Sequence, residues 1–258
     1  MSGQSVLVET TGGVTVITMN RPEVMNALNS DMRRALLAAL TEAALSARVI
    51  VLTGSGRAFC SGQDLADGGD ATAIDFEATL RDEYEPLLRA IYDAPVPVIA
   101  AVNGAAAGAG ANLALAADVV IAAESATFVQ AFARIGLIPD AGGTYWLPRQ
   151  IGFPRAMGAA LFSGRIGARQ AADWGMIWDC VADEAFETAW RAQAMQIAEG
   201  PTLAYRNLKR ALRASFANDL DAQLALEARL QAECGASADF IEGVTAFLQK
   251  RPPRFQGR

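Results

Sequence analysis

The chain is 258 residues long, contains no histidine, and carries 28 acidic against 22 basic residues, a formal net charge of −6. Without imidazole there is no Ser-His-Asp or Cys-His nucleophile system, and the usual His-containing zinc sites go with it. The acidic balance argues against a nucleic-acid partner, which needs a basic face, so proton chemistry rests on carboxylates, Lys, Tyr, Cys or bound water.

Alternation over residues 5–10 and 14–19, on either side of Thr11-Gly12-Gly13, predicts an opening hairpin. Asn29 or Ser30 can cap a helix running to about residue 47, with apolar Met32, Leu36, Leu37, Leu40 and Leu45 at near-helical spacing. Residues 49–53 are a short apolar run bounded by Gly54-Ser55-Gly56, the pattern of a buried strand. A second helix is expected over 75–92. Pro95-Val96-Pro97 then leads into an apolar strand, 98–102, that ends in Asn103-Gly104. Beyond it, 108–117 reads as helix, 119–122 as strand, and 141–150 as a helix after Pro139-Asp140. This alternation predicts an α/β fold with parallel β units. From Asp183 onward the pattern is helical, broken at Gly200-Pro201, with three amphipathic helices and no strand over 202–250. The expected organisation is a β/α core over 1–200 and a helical section over 201–258, which packs on the core or on another subunit.

Fifty-two per cent apolar residues are ample for a core. Cys60, Cys180 and Cys234 are far apart and odd in number, and fit neither a disulfide framework nor a metal clip. Met1-Ser2-Gly3-Gln4 leads into a strand without the basic region and apolar run of a signal peptide. The most apolar stretch, 95–123, is interrupted by Pro97, Asn103, Asn112 and Asp118, whereas a spanning helix needs about 20 predominantly apolar residues. A cytoplasmic protein without a membrane span is expected.

Three segments can hold chemistry. Cys60-Ser61-Gly62-Gln63-Asp64 follows the strand at 49–53, and Gly104-Ala105-Ala106-Ala107-Gly108-Ala109-Gly110-Ala111-Asn112 follows the strand at 98–102 and opens a helix. Glycine at such places lets backbone approach a ligand, and N–H groups at a helix start suit an oxyanion. The same glycines also occur where helix and strand simply pack tightly. A dinucleotide fingerprint is absent, because Leu113 stands where GxGxxG requires glycine. In the third segment, Gly136-Leu137-Ile138-Pro139-Asp140, the aspartate is either a helix N-cap or a carboxylate held against an apolar pocket. Desolvation would raise its pKa and a helix dipole would oppose the rise.

These segments, in this order and spacing, resemble the crotonase (enoyl-CoA hydratase/isomerase) superfamily. The resemblance runs from Asn20-Arg21-Pro22-Glu23 and Asn26-Ala27-Leu28 to Glu242-Gly243-Val244 and Lys250-Arg251. Gly62-Gln63-Asp64-Leu65, Gly136-Leu137-Ile138-Pro139-Asp140 and Trp174-Gly175-Met176-Ile177-Trp178 are similar to one branch, the ring-opening isomerases of bacterial phenylacetate degradation. The resemblance implies a spiral of ββα units with C-terminal helices that build homotrimers, often paired into hexamers. It also implies an acyl-CoA thioester substrate whose oxygen is held by the backbone N–H groups of Gln63 and Ala109, beside Gly62 and Gly108. Coenzyme A enters as part of the substrate, near Ala27, Ser61 and Asp64, with Lys250 reaching its phosphates from a neighbouring subunit. No metal or redox cofactor is implied.

Family hydratases carry two glutamates that activate a water, and the matching positions here are Asn112 and Phe132. Asp140 matches the carboxylate that isomerase members use, so the expected activity is isomerisation with Asp140 as proton shuttle. The specific expectation is conversion of a ring epoxide of phenylacetyl-CoA to an oxepin thioester, in a pocket to which Phe128, Phe132, Tyr145 and Trp146 can contribute. The alternatives are a Δ3,Δ2-enoyl-CoA isomerase, a hydratase using Glu124 or Asp118 in place of the glutamates, and a silent acyl-CoA binder. Cys60 is expected to be a packed residue and not a nucleophile.

Overall fold

The computed structural model describes residues 4–66 and 75–257; residues 1–3, on which part of the expectation about the start of the chain rests, lie outside it. β1 (Val6–Thr11) and β2 (Val14–Met19) pair antiparallel with Thr11 opposite Val14. The turn is therefore the two residues Gly12-Gly13, with φ of +59° and +83°. A two-residue turn with both φ positive matches the twist of the strands, and glycine adopts it without a Cβ penalty. β1 accordingly runs one residue further than expected.

α1 (Ser30–Ser46) starts where Asn29 accepts the Met32 N–H on its side chain, and it buries Met32, Leu36, Leu40 and Ala43. Leu45, expected on that face, is 78% exposed. It lies five residues beyond Leu40, which carries it around the helix away from the stripe.

Two sheets form the core. β3 (Val49–Gly54), β5 (Val98–Val102), β7 (Val119–Ala123) and β10 (Asp179–Val181) extend the hairpin into one six-stranded sheet, ordered β1-β2-β3-β5-β7-β10 and parallel from β2 onward. β4 (Ala58–Cys60), β6 (Ala105–Ala107), β8 (Thr127–Val129) and β9 (Arg165–Gly167) form a second sheet in that order. Three times the chain lays a longer strand in the first sheet, turns, lays a three-residue strand in the second, and then continues into helical structure. The helices are α2 (Phe76–Thr79) and α3 (Glu85–Tyr92), joined by a π turn at Leu80–Tyr84, then α4 (Ala109–Leu115), then α5 (Gly143–Phe162). This is a mixed α/β spiral of ββα units. β5 is buried at all five positions, as a parallel strand covered on both faces must be.

The pattern along the chain does not predict the short strands, since three residues are too few to display a period. The helix at 75–92 is present but interrupted by the π turn. α5 begins at Gly143 and reaches Phe162, beyond the expected end at 150. Its break comes at Gly152, φ +74°, between Pro148 and Pro154, after which the helix resumes. β9, α6 (Ala168–Asp173) and β10 were not anticipated.

α7 (Phe186–Ala198) is followed by α8 (Thr202–Ala214), α9 (Leu220–Gly235) and α10 (Ala238–Leu248). α8 is tied to the sheet by charge. Lys209 is 9% exposed and its ammonium reaches Asp118 at 2.7 Å and the carbonyls of Ala94 and Val96 at 2.9 and 2.8 Å. Burial pulls the Lys209 pKa below its ordinary value, against Asp118, which supports the charge. Arg213 meets the same carboxylate at 2.6 Å. Beyond α8, the apolar side chains of Leu220, Leu224, Phe240, Ile241, Phe247 and Leu248 are exposed. No helix among the described residues is long and apolar enough to cross a membrane.

Candidate active site

The loop after β4 is set by Asn26, a wholly buried residue in left-handed backbone, φ +56°. Its Nδ2 donates to the carbonyls of Ala58 and Ser55 at 2.8 and 3.0 Å, with Phe59 at 3.2 Å, and its Oδ1 accepts the Arg21 N–H at 2.8 Å. Leu28 then pairs with the loop: its N–H donates to the Gly62 carbonyl, and its carbonyl accepts from Asp64 N–H. In extended backbone successive N–H groups alternate in direction. The N–H of Gln63 therefore faces away from Leu28, and it has no protein acceptor among the described residues.

The Gln63 side chain is held as well. Its Oε1 accepts from Arg33 Nη1 at 2.7 Å and from the Tyr84 hydroxyl at 2.6 Å. Arg33 is 3% exposed and is balanced by Glu83 at 2.7 Å, whose desolvation is outweighed by hydrogen bonds from Arg33 and Ser30 and by the Arg33 charge, so that its carboxyl lies below its ordinary pKa. Burial pushes the Tyr84 phenol above its usual range, so it stays a donor.

The second loop meets the first at Gly62, whose φ is +96°. A Cβ there would lie 2.8 Å from the Ala107 carbonyl and 3.4 Å from the Ala109 nitrogen. Gly108, φ +52° and ψ −128°, turns β6 into α4 and spends its own N–H on Val129. Ala109 is the first helical residue, so its N–H has no intrahelical partner. Gln63 and Ala109 share the wall of a cavity of about 240 Å³ with Ser61, Gly62, Gly108 and Asp140. Two main-chain donors placed so can hold one carbonyl oxygen and stabilise charge that develops on it.

Asp140 does not cap α5. That place is taken by Gly142, which has no side chain to offer, while Ala141 and Gly142 adopt φ of +46° and +81°. One carboxylate oxygen, Oδ1, is buried without a hydrogen-bond partner among the described residues. Burial pushes the Asp140 pKa up to about 6, opposed only by a hydrogen bond from its own N–H. Desolvation thus outweighs that hydrogen bond, and it pushes the carboxyl toward the range where a proton carrier is useful. Asn112 and Phe132, which stand where the resemblance puts the two glutamates of family hydratases, are a buried amide and a cavity wall.

Ala27 and Asp64 are not on the cavity wall; both bind Arg21 Nη1, Ala27 by its carbonyl at 2.7 Å and Asp64 by its carboxylate at 2.9 Å. Lys250 is exposed, just past the end of α10, and does not reach the cavity within one chain. Phe132 lines the cavity, but Phe128 is wholly buried in the core, and Tyr145 and Trp146 pack on Tyr92 instead. The aromatic pocket is therefore smaller than expected. Phe76, Leu80 and Tyr84 line it instead, and their spacing of four over the predicted helix 75–92 puts them on one face. Asp118 is consumed by Lys209 and Arg213, and Glu124 pairs with Arg169 in solvent, so neither is available to activate a water in the cavity. Cys60 is buried, with its thiol pushed up to about 12 by desolvation, and packs without reactivity. The described residues contain no cluster of metal-ligating side chains.

Residues 9–258 match the family model described as enoyl-CoA hydratase/isomerase. A Rhodobacter capsulatus protein bearing the name "Probable enoyl-CoA hydratase" is 64% identical over 258 residues, covering all of both chains. The 1,2-epoxyphenylacetyl-CoA isomerase of Escherichia coli is 47% identical over 95% of this chain and 96% of its own. The crystal structure of an enoyl-CoA hydratase from Bacillus anthracis superposes with a TM-score of 0.92 at 33% identity, covering 99% of this chain and all of the other.

Proposed function

The chain belongs to the enoyl-CoA hydratase/isomerase family, and on that premise we propose that it is an acyl-CoA isomerase. Asp140 takes a proton from one carbon of the acyl group and returns it to another. The Gln63 and Ala109 N–H groups hold the thioester oxygen while enolate charge resides on it. The observation that carries this reading is the cavity's acid inventory: Asp140 is the one carboxylate on its described wall, with a pKa near 6. An isomerase needs a single group that accepts and returns a proton, whereas adding water across a double bond is assigned in this family to a pair of acids.

The finer proposal is an epoxide of phenylacetyl-CoA as substrate, supported by the 47% identical Escherichia coli relative and by the apolar and aromatic wall of Phe76, Leu80, Tyr84 and Phe132. A Δ3,Δ2-enoyl-CoA isomerase would use the same residues. The hydratase reading is favoured by the name of the 64% identical relative. We further propose a cytoplasmic homotrimer or hexamer, joined through the exposed apolar residues of α8–α10, needing no metal or redox cofactor. The coenzyme A moiety would lie near Ala27, Ser61 and Asp64, with Lys250 supplied across a subunit boundary.

The test offers epoxyphenylacetyl-CoA, a 3-enoyl-CoA and crotonyl-CoA to the wild type and to Asp140→Asn. Isomerisation by the wild type, lowered about 10²–10⁴-fold in the variant, is expected. Undiminished turnover by Asp140→Asn overturns the proton role, and robust hydration of crotonyl-CoA restores the hydratase.

A further inference from the structure

Asn112 is wholly buried on α4, three residues after Ala109, so one short helix carries both a proposed oxyanion donor and this amide. Its Nδ2 donates to the backbone carbonyl of Asp140 at 2.7 Å, and its Oδ1 accepts from Gln130 Nε2 at 2.8 Å. The orientations are unambiguous. A carbonyl only accepts, so the Asn112 amide must turn its NH₂ to Asp140, which leaves its oxygen for the Gln130 donor. Gln130, 1% exposed, follows β8 and braces the amide from behind.

The turn that Asn112 grips is strained and is closed by one backbone hydrogen bond of its own. Asp140 is followed by Ala141 and Gly142, both in left-handed backbone, and an alanine there costs about 1 kcal/mol or more. Such strain persists where the surroundings over-determine it. Here the Asp140 carbonyl takes two donors, Asn112 Nδ2 and the Gly143 N–H at 2.8 Å. Gly143 also packs directly on the amide: a Cβ on it would lie 2.4 Å from Asn112 Nδ2.

We propose that Asn112, braced by Gln130, is a positioning residue that fixes the Asp140 turn relative to the Ala109 N–H, so that the carboxylate faces the cavity. The inference rests on the isomerase reading and deepens it. An acid at position 112 would set oxygen against the Asp140 carbonyl when ionised. Asparagine instead supplies the donor that aims the Asp140 carboxylate. Among the described wall residues the other ionisable groups are Tyr84, from the π turn, and Arg134, whose guanidinium is turned to the Ser163 carbonyl. Neither Asn112 nor Gln130 titrates, so a change in the pH profile on replacing them reports on Asp140.

The experiment compares Asn112→Ala, Gln130→Ala and Asp140→Asn in the whole protein, reading kcat and KM from pH 5 to 9, with thermal unfolding alongside. A displacement of about 1 Å costs about 10²-fold in rate. Asn112→Ala is therefore expected to lose about 10–100-fold in kcat with KM within a few-fold. The acid limb of its kcat profile should move from near 6 toward the ordinary aspartate value as the carboxylate relaxes into solvent. Gln130→Ala should move both in the same direction by less. A folded Asn112→Ala with the wild-type kcat and acid limb overturns the proposal; if that variant does not fold, an unchanged profile in Gln130→Ala does so. If Asp140→Asn keeps its turnover, the isomerase reading itself has failed. If it is inactive while the other two are unaffected, only the positioning role has.

Discussion

Replacing Gly62 by alanine puts a methyl group where the backbone has left no room. The new carbon would sit 2.8 Å from the Ala107 carbonyl oxygen and 3.4 Å from the Ala109 nitrogen. Unstrained carbon contacts lie near 3.5 Å, so the two loops must separate by roughly half an ångström or more. The φ of +96° adds a cost of about 1–3 kcal/mol for a residue with a Cβ. The displacement falls between the Gln63 and Ala109 N–H groups, and losing one such donor costs about 3 kcal/mol, or 10²–10³ in kcat. Gly62→Ala should therefore be 10²–10³-fold slower, with a midpoint of thermal unfolding lower by roughly 3–10 °C. Gly158→Ala is the control, since that glycine lies in α5 with nothing within 4 Å of its Cβ position, and it should be neutral or slightly stabilising. Steady-state kinetics on a thioester substrate and a thermal melt decide the matter. A folded Gly62→Ala with kcat within threefold of wild type would refute the oxyanion assignment of this loop.

Two further outcomes concern groups around the same cavity. The Asp140 pKa is raised from 3.8 to about 6, so the native state binds this proton more tightly than the unfolded chain. Its stabilising contribution is complete below about 3.8 and lost as pH rises through 6. Asp140→Asn should hence be more stable than wild type at pH 8 and level with it below pH 4. The difference is bounded near 3 kcal/mol and reduced to about 1 kcal/mol by the solvent that reaches the group. Urea unfolding at the two pH values measures it, and equal stability at pH 8 contradicts the burial argument. Asn26→Ala removes the donor shared by Ser55, Ala58 and Phe59 and leaves buried carbonyls unpaired, for a loss of about 3–5 kcal/mol. Asn26→Gly relieves the left-handed backbone but not the hydrogen bonds, so it should recover only about 1 kcal/mol; a full recovery in the melt would mean that the amide contributes little.

Much of the architecture is legible in local pattern because local physics decides it. The Gly12-Gly13 pair specifies the hairpin turn, Asn29 caps α1, and the apolar runs at 49–53, 98–102 and 119–122, short and bounded by turn residues, read as covered strands. The apolar setting of Asp140 and the glycines at 62 and 108 likewise mark the loops that meet at the cavity. The second sheet is not legible, since β4, β6 and β8 are three residues each and become strands only by pairing with one another across more than twenty residues of chain. Nor is the direction of the Asp140 pKa. Aspartate before a helix caps it unless the backbone turns away, and the left-handed Ala141 and Gly142 turn it away, with the Asp140 carbonyl bound by Asn112 from another element. The sequence by itself therefore determined which residue types and loops were available for the proposed proton transfer and oxyanion binding, because composition and turn chemistry are local. Only the tertiary structure decided which carboxylate is desolvated and which amide binds its turn, because burial and hydrogen bonding between distant segments exist only once the spiral has closed.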